Sequence, residues 1–238
     1  MNLIVIQARQ GSKRFPKKTT TYIGDYKLLE WVVLRLKMIK SFKKIVIATT
    51  YKKEDGYLKD IARKYNIGFF QGNENNLLKR FYDVSRRYKI MNIVRVCADN
   101  PFICPDEIDL LIKNFNSGNY KYLFNNRDYR SFKFADGFGA EIFKITLLKF
   151  LFSKVYSLEE KEHVTSYLWN KGIFLNPGSS LIANFSRNIS IDINNEIDYK
   201  KINYYVKKFK LTPKDKTSKI ITIFSKDSYF LKHNRVFN

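Results

Sequence analysis

The stretch Leu3-Ile4-Val5-Ile6-Gln7-Ala8-Arg9-Gln10-Gly11-Ser12-Lys13-Arg14-Phe15-Pro16-Lys17-Lys18 decides how the chain is read. Four apolar residues in a row predict a short strand buried on both faces. The polar run behind it, with Gly11, Ser12 and Pro16, predicts a loop at the carboxyl end of that strand. The same alternation recurs outward. Leu28, Leu29, Val32, Leu36 and Ile39 stand at helical spacing after Gly24-Asp25. Ile45 to Ala48 predicts a second buried strand that ends in Thr49-Thr50. Leu58, Ile61, Ala62 and Tyr65 mark a helix closed by Asn66, and Ile67 to Phe70 a third strand. Leu77, Leu78, Phe81 and Val84 mark another helix, Ile93 to Val96 a fourth strand, and Pro105 to Phe115 a further helix. Strands alternating with helices at these lengths predict an α/β fold with a mainly parallel central sheet and helices on both faces. Ligands of such sheets bind outside the carboxyl ends of the strands. Three segments fall there: Ala8 to Lys18, Thr49-Thr50, and Ala98 to Pro101.

Beyond Tyr120 the pattern loosens. Ala140 to Ile145 predicts a strand, Glu160 to Trp169 a helix, and Ile189 to Ile193 alternates like a strand. Tyr199 to Phe209 predicts a lysine-rich helix, and Ile220 to Phe224 a strand. The chain is thereby divided into a domain over 1–210, with an insertion-like region at about 120–180, and a basic C-terminal extension over 211–238.

The 238 residues suit one α/β domain. Forty-four Lys and Arg against 22 Asp and Glu give a net charge of +22, which invites an acidic partner. Much of the lysine belongs to a composition rich in Lys, Asn, Ile, Tyr and Phe, and serves solvated faces. One cluster stands out. Met1 to Gly24 holds no acidic residue, while Arg9, Lys13, Arg14, Lys17 and Lys18 fall within ten positions. The 16 tyrosines and 20 phenylalanines raise base stacking as an alternative. Their core-like spacing, and the lack of a helix-turn-helix or RNP-type motif, weigh against nucleic acid as partner. Cys97 and Cys104 make neither a disulfide framework nor a zinc site. No apolar run approaches the ~18 residues of a membrane span, so a cytoplasmic protein is expected.

The Ala8–Lys18 loop is neither G-x-x-x-x-G-K-[ST] nor G-x-G-x-x-G. Gly11 permits close backbone approach to a ligand, consecutive amides form an anion nest, and Arg9 and Arg14 fork onto phosphate oxygens. Six further segments accompany it. They are Ile47-Ala48-Thr49-Thr50, Gly72 to Tyr82 (GNENNLLKRFY), Val94 to Ile103 (VRVCADNPFI), Asp136 to Glu141 (DGFGAE), Glu162-His163-Val164-Thr165, and Ser190 to Asp198. In this order they resemble the signatures of cytidylyltransferases, and more closely those of the spore coat polysaccharide biosynthesis protein F-like family, which is related to CMP-sialic acid and CMP-ketodeoxyoctonate synthetases. The resemblance spans roughly the first 200 residues.

It implies a Rossmann-like, GT-A-type nucleotidyltransferase fold, and transfer of CMP from CTP to an acidic sugar or related small acid with release of pyrophosphate, for surface glycan biosynthesis. Arg9, Arg14, Lys18 and Asp99 are then the catalytic set. Ala8, Arg9, Gly11, Ser12, Arg14, Lys18, Thr49, Gly72, Asn73 and Asn76 bind the nucleotide. Asp99 and Asp192 ligate magnesium, while Asp198 is better placed to cap a helix. Asp136, Glu141, Glu162 and His163 belong to the acceptor side. Carboxylates repel an acidic sugar's own carboxylate, so they suit its hydroxyl groups or an amine. Relatives imply a homodimer through Tyr120 to Lys133. Lys17 stands where the family usually has glycine, which leaves open whether Lys17 or Lys18 meets phosphate. Gly24-Asp25-Tyr26-Lys27 lacks the family's proline, and Cys97-Ala98 replaces its T-G. A GT-A glycosyltransferase is the competing reading, but Asp99-Asn100-Pro101 replaces the D-x-D such enzymes use.

Overall fold

A computed structural model of the chain describes residues 2–42, 44–130, 133–182 and 189–231. Six strands form one sheet: β1 (Asn2–Gln7), β4 (Lys44–Thr50), β5 (Gly68–Gly72), β6 (Asn92–Cys97), β7 (Tyr122–Phe124) and β8 (Glu141–Lys144). Strands β2 (Tyr22–Ile23) and β3 (Tyr26–Lys27) form a small separate hairpin. The sheet order is β5-β4-β1-β6-β8-β7. Strands β5, β4, β1 and β6 are parallel, and β8 runs against both β6 and β7.

Both faces of the sheet are covered because its central strands, β1 and β4, carry apolar residues at successive positions. Ile4 and Ile6 of β1 join Ile45 and Ile47 of β4 beneath α1 (Leu28–Leu36), α2 (Leu58–Lys64) and α4 (Pro105–Ser117). The alternate residues Leu3, Val5, Val46 and Ala48 face α3 (Leu77–Tyr88) and α5 (Ile145–Phe152). Side chains of a strand alternate between faces, so an unbroken apolar run is stable only between two layers. The mainly parallel, Rossmann-like sheet with helices on both faces is the fold expected from the sequence. After β1 the chain fills one side with β4 and β5, then crosses to β6 on the other side. The switch point therefore lies between β1 and β6, where a crevice opens beyond the strand ends.

Three of the expectations for the second half are not met. Glu160 to Trp169 is not one helix but two short ones, α6 (Leu158–Glu162) and α7 (Ser166–Lys171). The break at His163-Val164-Thr165 sends Val164 and Thr165 into the interior, each 1% exposed. Ile189 to Ile193 does not join the sheet; it makes single bridges, Ser190 to Asp136 and Ile189 to Leu231. Ile220 to Phe224 lies in a helix, α9 (Thr217–Phe224), after α8 (Glu196–Lys208). Its β-branched run mimics a strand, yet Thr217, Ile220, Ile221 and Phe224 fall on one helical face and are buried.

That face packs with Trp31, Phe102, Ile202, Val206 and Phe230 in a third apolar cluster. Each fully buried side chain of this size stabilises by ~1.5–3 kcal/mol. Arg35 of α1 ties the same segment down. Its buried guanidinium donates to the carbonyls of Ile103 (2.6 Å), Pro213 (3.1 Å) and Asp215 (2.8 Å), and to Thr217 Oγ1 (2.7 Å). Arg35→Met is expected to lower stability by about 3 kcal/mol and to open residues 211–231 to protease. Urea unfolding and limited proteolysis read this, and an unchanged midpoint contradicts it. No helix of the described residues is long and apolar enough to cross a membrane. In the segment expected to mediate dimerisation, residues 131 and 132 lie outside the described residues.

Candidate active site

The Ala8–Lys18 loop leaves β1 at the switch point and folds around one buried side chain. Gln10 is 5% exposed. Its carbonyl accepts from the amides of Ser12 (3.0 Å) and Lys17 (2.9 Å), and its side chain bonds Thr19 and Thr20. Its own amide donates to the buried Asp55 Oδ1 at 2.6 Å. Asp55 also accepts from the Thr50 amide and hydroxyl, so it clamps the loop onto the end of β4. Among the described residues, the amides of Gly11, Lys13 and Arg14 meet no acceptor. A Cβ built on Gly11 meets no atom within 4 Å. The loop thus presents amide donors and open space outward while its interior is anchored.

Its lysines part company. Lys17 is exposed, with φ of 58°. Lys18 turns inward, its Nζ donating to Asp99 Oδ2 (3.0 Å) and to the Ile193 carbonyl (2.9 Å). Lys18, not Lys17, is the lysine gathered with the carboxylates. Arg14 donates to Asn194 Oδ1 at 2.8 Å, and Asn194 donates to Asp192 Oδ2. Asp192 also accepts from Ser190 Oγ at 2.8 Å. The backbone joins the same group, since the Ile193 amide donates to the Asp99 carbonyl at 2.9 Å. Arg14, Lys18, Asp99 and Asp192 are therefore brought together from three separate stretches. Asp198 caps α8, accepting from the amides of Asn194 (2.9 Å) and Asn195 (3.1 Å).

The donor set suits magnesium. Asp99 is 29% exposed in its side chain and Asp192 is part-exposed. Among the described residues no cluster of three or more His, Cys, Asp or Glu encloses an ion by itself. Magnesium keeps waters and substrate phosphates beside one or two carboxylates, which matches such an open set.

The residues expected to bind the nucleotide beyond the loop, Thr49, Gly72, Asn73 and Asn76, lie on the β4–β5 side. Thr49 pairs with Gln71 and Thr50 with Gly72 across the strands. Thr49 Oγ1 is buried with no hydrogen-bond partner among the described residues. Asn73 and Asn76 build the entry to α3: Asn73 Oδ1 accepts from the Asn76 amide and Asn76 Oδ1 from that of Lys79, both at 2.8 Å. Beneath them sits the buried Arg80, donating to the carbonyls of Asn73 and Glu74. Burial brings its guanidinium down to about 10, and it stays charged at neutral pH.

The acceptor candidates separate. Asp136 bridges Ser190, and Gly137, with φ of 90°, runs against the Asp192 backbone. Glu162 pairs with Arg9 at 2.8 Å, both half-exposed. His163 is exposed at the end of α6. Glu141 instead is enclosed, its side chain 2% exposed. It accepts from Arg95 Nη1 (2.6 Å), Tyr122 Oη (2.5 Å), Thr165 Oγ1 (2.8 Å) and Arg127 Nη2 (3.3 Å). Burial alone would raise this carboxyl, but the two guanidiniums and two hydroxyls hold it at about 2. Cys97 is a free thiol that burial pushes up to about 11. Sequence reading missed Asp55, Arg80, Asn194, Arg95 and Arg127. Arg80 and Arg95 stood inside quoted motifs, whereas nothing local marks Asp55 or Arg127.

A parallel sheet with an anchored basic loop and a strand-end aspartate at its switch point defines a nucleotidyltransferase. The cytidylyltransferase family model matches residues 3–237, and the chain belongs to that family. The spore coat polysaccharide biosynthesis protein SpsF of Bacillus subtilis is 34% identical over 176 residues, 71% of this chain and 70% of that one. A cytidylyltransferase of Leptospira borgpetersenii superposes with a TM-score of 0.86 at 27% identity, covering 100% of this chain and 99% of that one. The CMP:2-keto-3-deoxy-manno-octonic acid synthetase complexed with CTP shares the fold, with a TM-score of 0.66 at 13% identity over 87% of this chain and 99% of that one. The chain is thus a CTP-dependent nucleotidyltransferase.

Proposed function

We propose that the protein transfers CMP from CTP to a hydroxyl of a carboxylated sugar, releasing pyrophosphate, for surface glycan synthesis. The observation that carries this reading is the convergence of Arg14, Lys18, Asp99 and Asp192 beside the outward amides of the loop. The substrate class is supported by two relatives, whose names refer to spore coat polysaccharide and to a keto-deoxy sugar acid.

In this reading the acceptor oxygen attacks the α-phosphorus, and the bond from that phosphorus to the bridging oxygen breaks. The electron pair leaves with pyrophosphate and the hydroxyl proton passes to solvent. Arg9, Ser12, Arg14 and Lys18 hold the triphosphate and offset the charge that grows on it. Lys18 reaches either Asp99 or a phosphate oxygen lying beside it. Thr49, Gly72, Asn73 and Asn76 wall the base and ribose. Asp99 and Asp192 would hold magnesium, which when bound neutralises triphosphate charge and favours departure of pyrophosphate. Asp136, Glu162 and His163 lie toward the acceptor.

A pyrophosphate-release screen of the four nucleoside triphosphates against carboxylated and neutral sugars tests the reading. CTP with a carboxylated sugar is expected to turn over, and EDTA to stop it. Absence of turnover for every CTP pairing overturns it.

A further inference from the structure

The acceptor side poses a charge problem. Asp136, Glu141 and Glu162 are all acidic, yet the proposed acceptor is itself an anion. The structure supplies a cation that the sequence pattern does not mark. Strand β7 runs parallel to β6, so its carboxyl end opens on the same edge of the sheet as Asp99. Asn125, Asn126 and Arg127 leave β7 there. Arg127 is held from two sides: its Nη2 donates to Glu141 Oε1 at 3.3 Å, and its guanidinium carbon lies 4.7 Å from the Trp169 ring centroid. Trp169 is fixed in turn by donating to Tyr122 Oη at 3.1 Å.

The charges in this cluster do not cancel. Arg95 and Arg127 share the single carboxylate of Glu141. Arg95 is buried and takes the shorter pairing, 2.6 Å against 3.3 Å. The surplus positive charge therefore resides on Arg127, whose side chain is 40% exposed. Asp128, the next residue, turns Oδ1 to the Phe134 amide at 2.6 Å. Beside Arg127, Asn126 carries a buried amide oxygen with no hydrogen-bond partner among the described residues. The cluster also reaches the nucleotide loop, because Arg95 Nε donates to Gln7 Oε1 at 3.0 Å, one residue before Ala8.

We propose that Arg127 receives the carboxylate of the acceptor sugar, with Glu141 and Trp169 as the residues that position it; this rests on the function proposed above. Glu141 then serves the acceptor side without touching the sugar. A guanidinium fork fits a carboxylate in bidentate fashion, and a planar cation already fixed on a tryptophan loses little freedom when it binds.

The test compares acceptors as well as proteins. Wild type, R127Q and R127K are assayed with CTP and magnesium on 2-keto-3-deoxy-manno-octonic acid, N-acetylneuraminic acid, the methyl esters of both, and neutral and phosphorylated hexoses. For wild type, esterification is expected to lower kcat/KM about 10- to 100-fold, the size of a charge-assisted hydrogen bond to a carboxylate. In R127Q the ratio of acid to ester is expected to fall to near 1, with the loss in the KM for the acid, and R127K restores part of it. Such coupling between one side chain and one substrate group is not produced by a merely structural residue. The CTP dissociation constant and the unfolding midpoint check that R127Q is folded. Turnover of the acids with the same acid-to-ester ratio in R127Q as in wild type overturns the role of Arg127 and leaves the function standing. Turnover of only phosphorylated or neutral sugars, or none at all, overturns both.

Discussion

Asp99→Asn is expected to cut turnover about 100- to 1,000-fold, the usual consequence of removing one preorganised charge from a transition-state site. Asparagine keeps the shape of the side chain and removes its charge. Asp99 stands at the switch point, 3.0 Å from Lys18 and bound through its carbonyl to the Ile193 amide. The substitution therefore removes a proposed magnesium ligand and leaves Lys18 without its anionic partner. The fold stands to lose little, since part-exposed ion pairs contribute at most about 1 kcal/mol. Arg14→Ala is expected to have an effect of the same order, because Arg14 is the loop cation held over Asn194. Pyrophosphate release and thermal melting, measured together, separate catalysis from folding. If both variants keep near wild-type turnover, the site is assigned to the wrong residues.

Glu141→Ala is expected to act on stability, lowering it by about 3–5 kcal/mol, as when one partner of a buried ion pair is deleted. For a chain of this size that is on the order of 10 °C in Tm. The substitution strands Arg95, whose side chain is 8% exposed, and leaves Tyr122 and Thr165 without their acceptor. The pH dependence has a definite sign. The Glu141 carboxyl sits at about 2 when folded, below its ordinary 4.5. Its contribution is complete above about 4.5 and is lost as pH falls toward 2. Wild type should therefore lose more stability than Glu141→Ala across that window. Urea unfolding at pH 7, 4.5 and 3 measures this. Parallel pH profiles for the two proteins contradict the role given to Glu141.

The first half of the fold was legible because its signals are local. Leu3 to Ile6 and Ile45 to Ala48 are apolar at successive positions, which only a strand between two layers satisfies. Asn66 ends its helix with φ of 51°, as its residue type suggested. The second half was less legible where distant contacts overrode local pattern. Ile220 to Phe224 carries strand-like residues, but its neighbours are Trp31 and Phe102, and a helical face packs there. Thr165 reads as a helix residue, yet its hydroxyl is claimed by Glu141, so the chain breaks to deliver it.

The parallel strands β1, β4, β5 and β6, the basic loop behind β1 and the family were all legible in the sequence. Each rests on periodicity or on short motifs whose residues lie next to one another in the chain. Which side chains meet was settled by long-range packing. The folded chain draws Lys18 rather than Lys17 inward by offering Asp99 and Ile193, far along the chain, as its partners. It enclosed Glu141 and left Arg127 part-exposed at the same sheet edge. Such choices depend on burial and on the balance of charge within a cluster. Those quantities exist only once the strands are side by side.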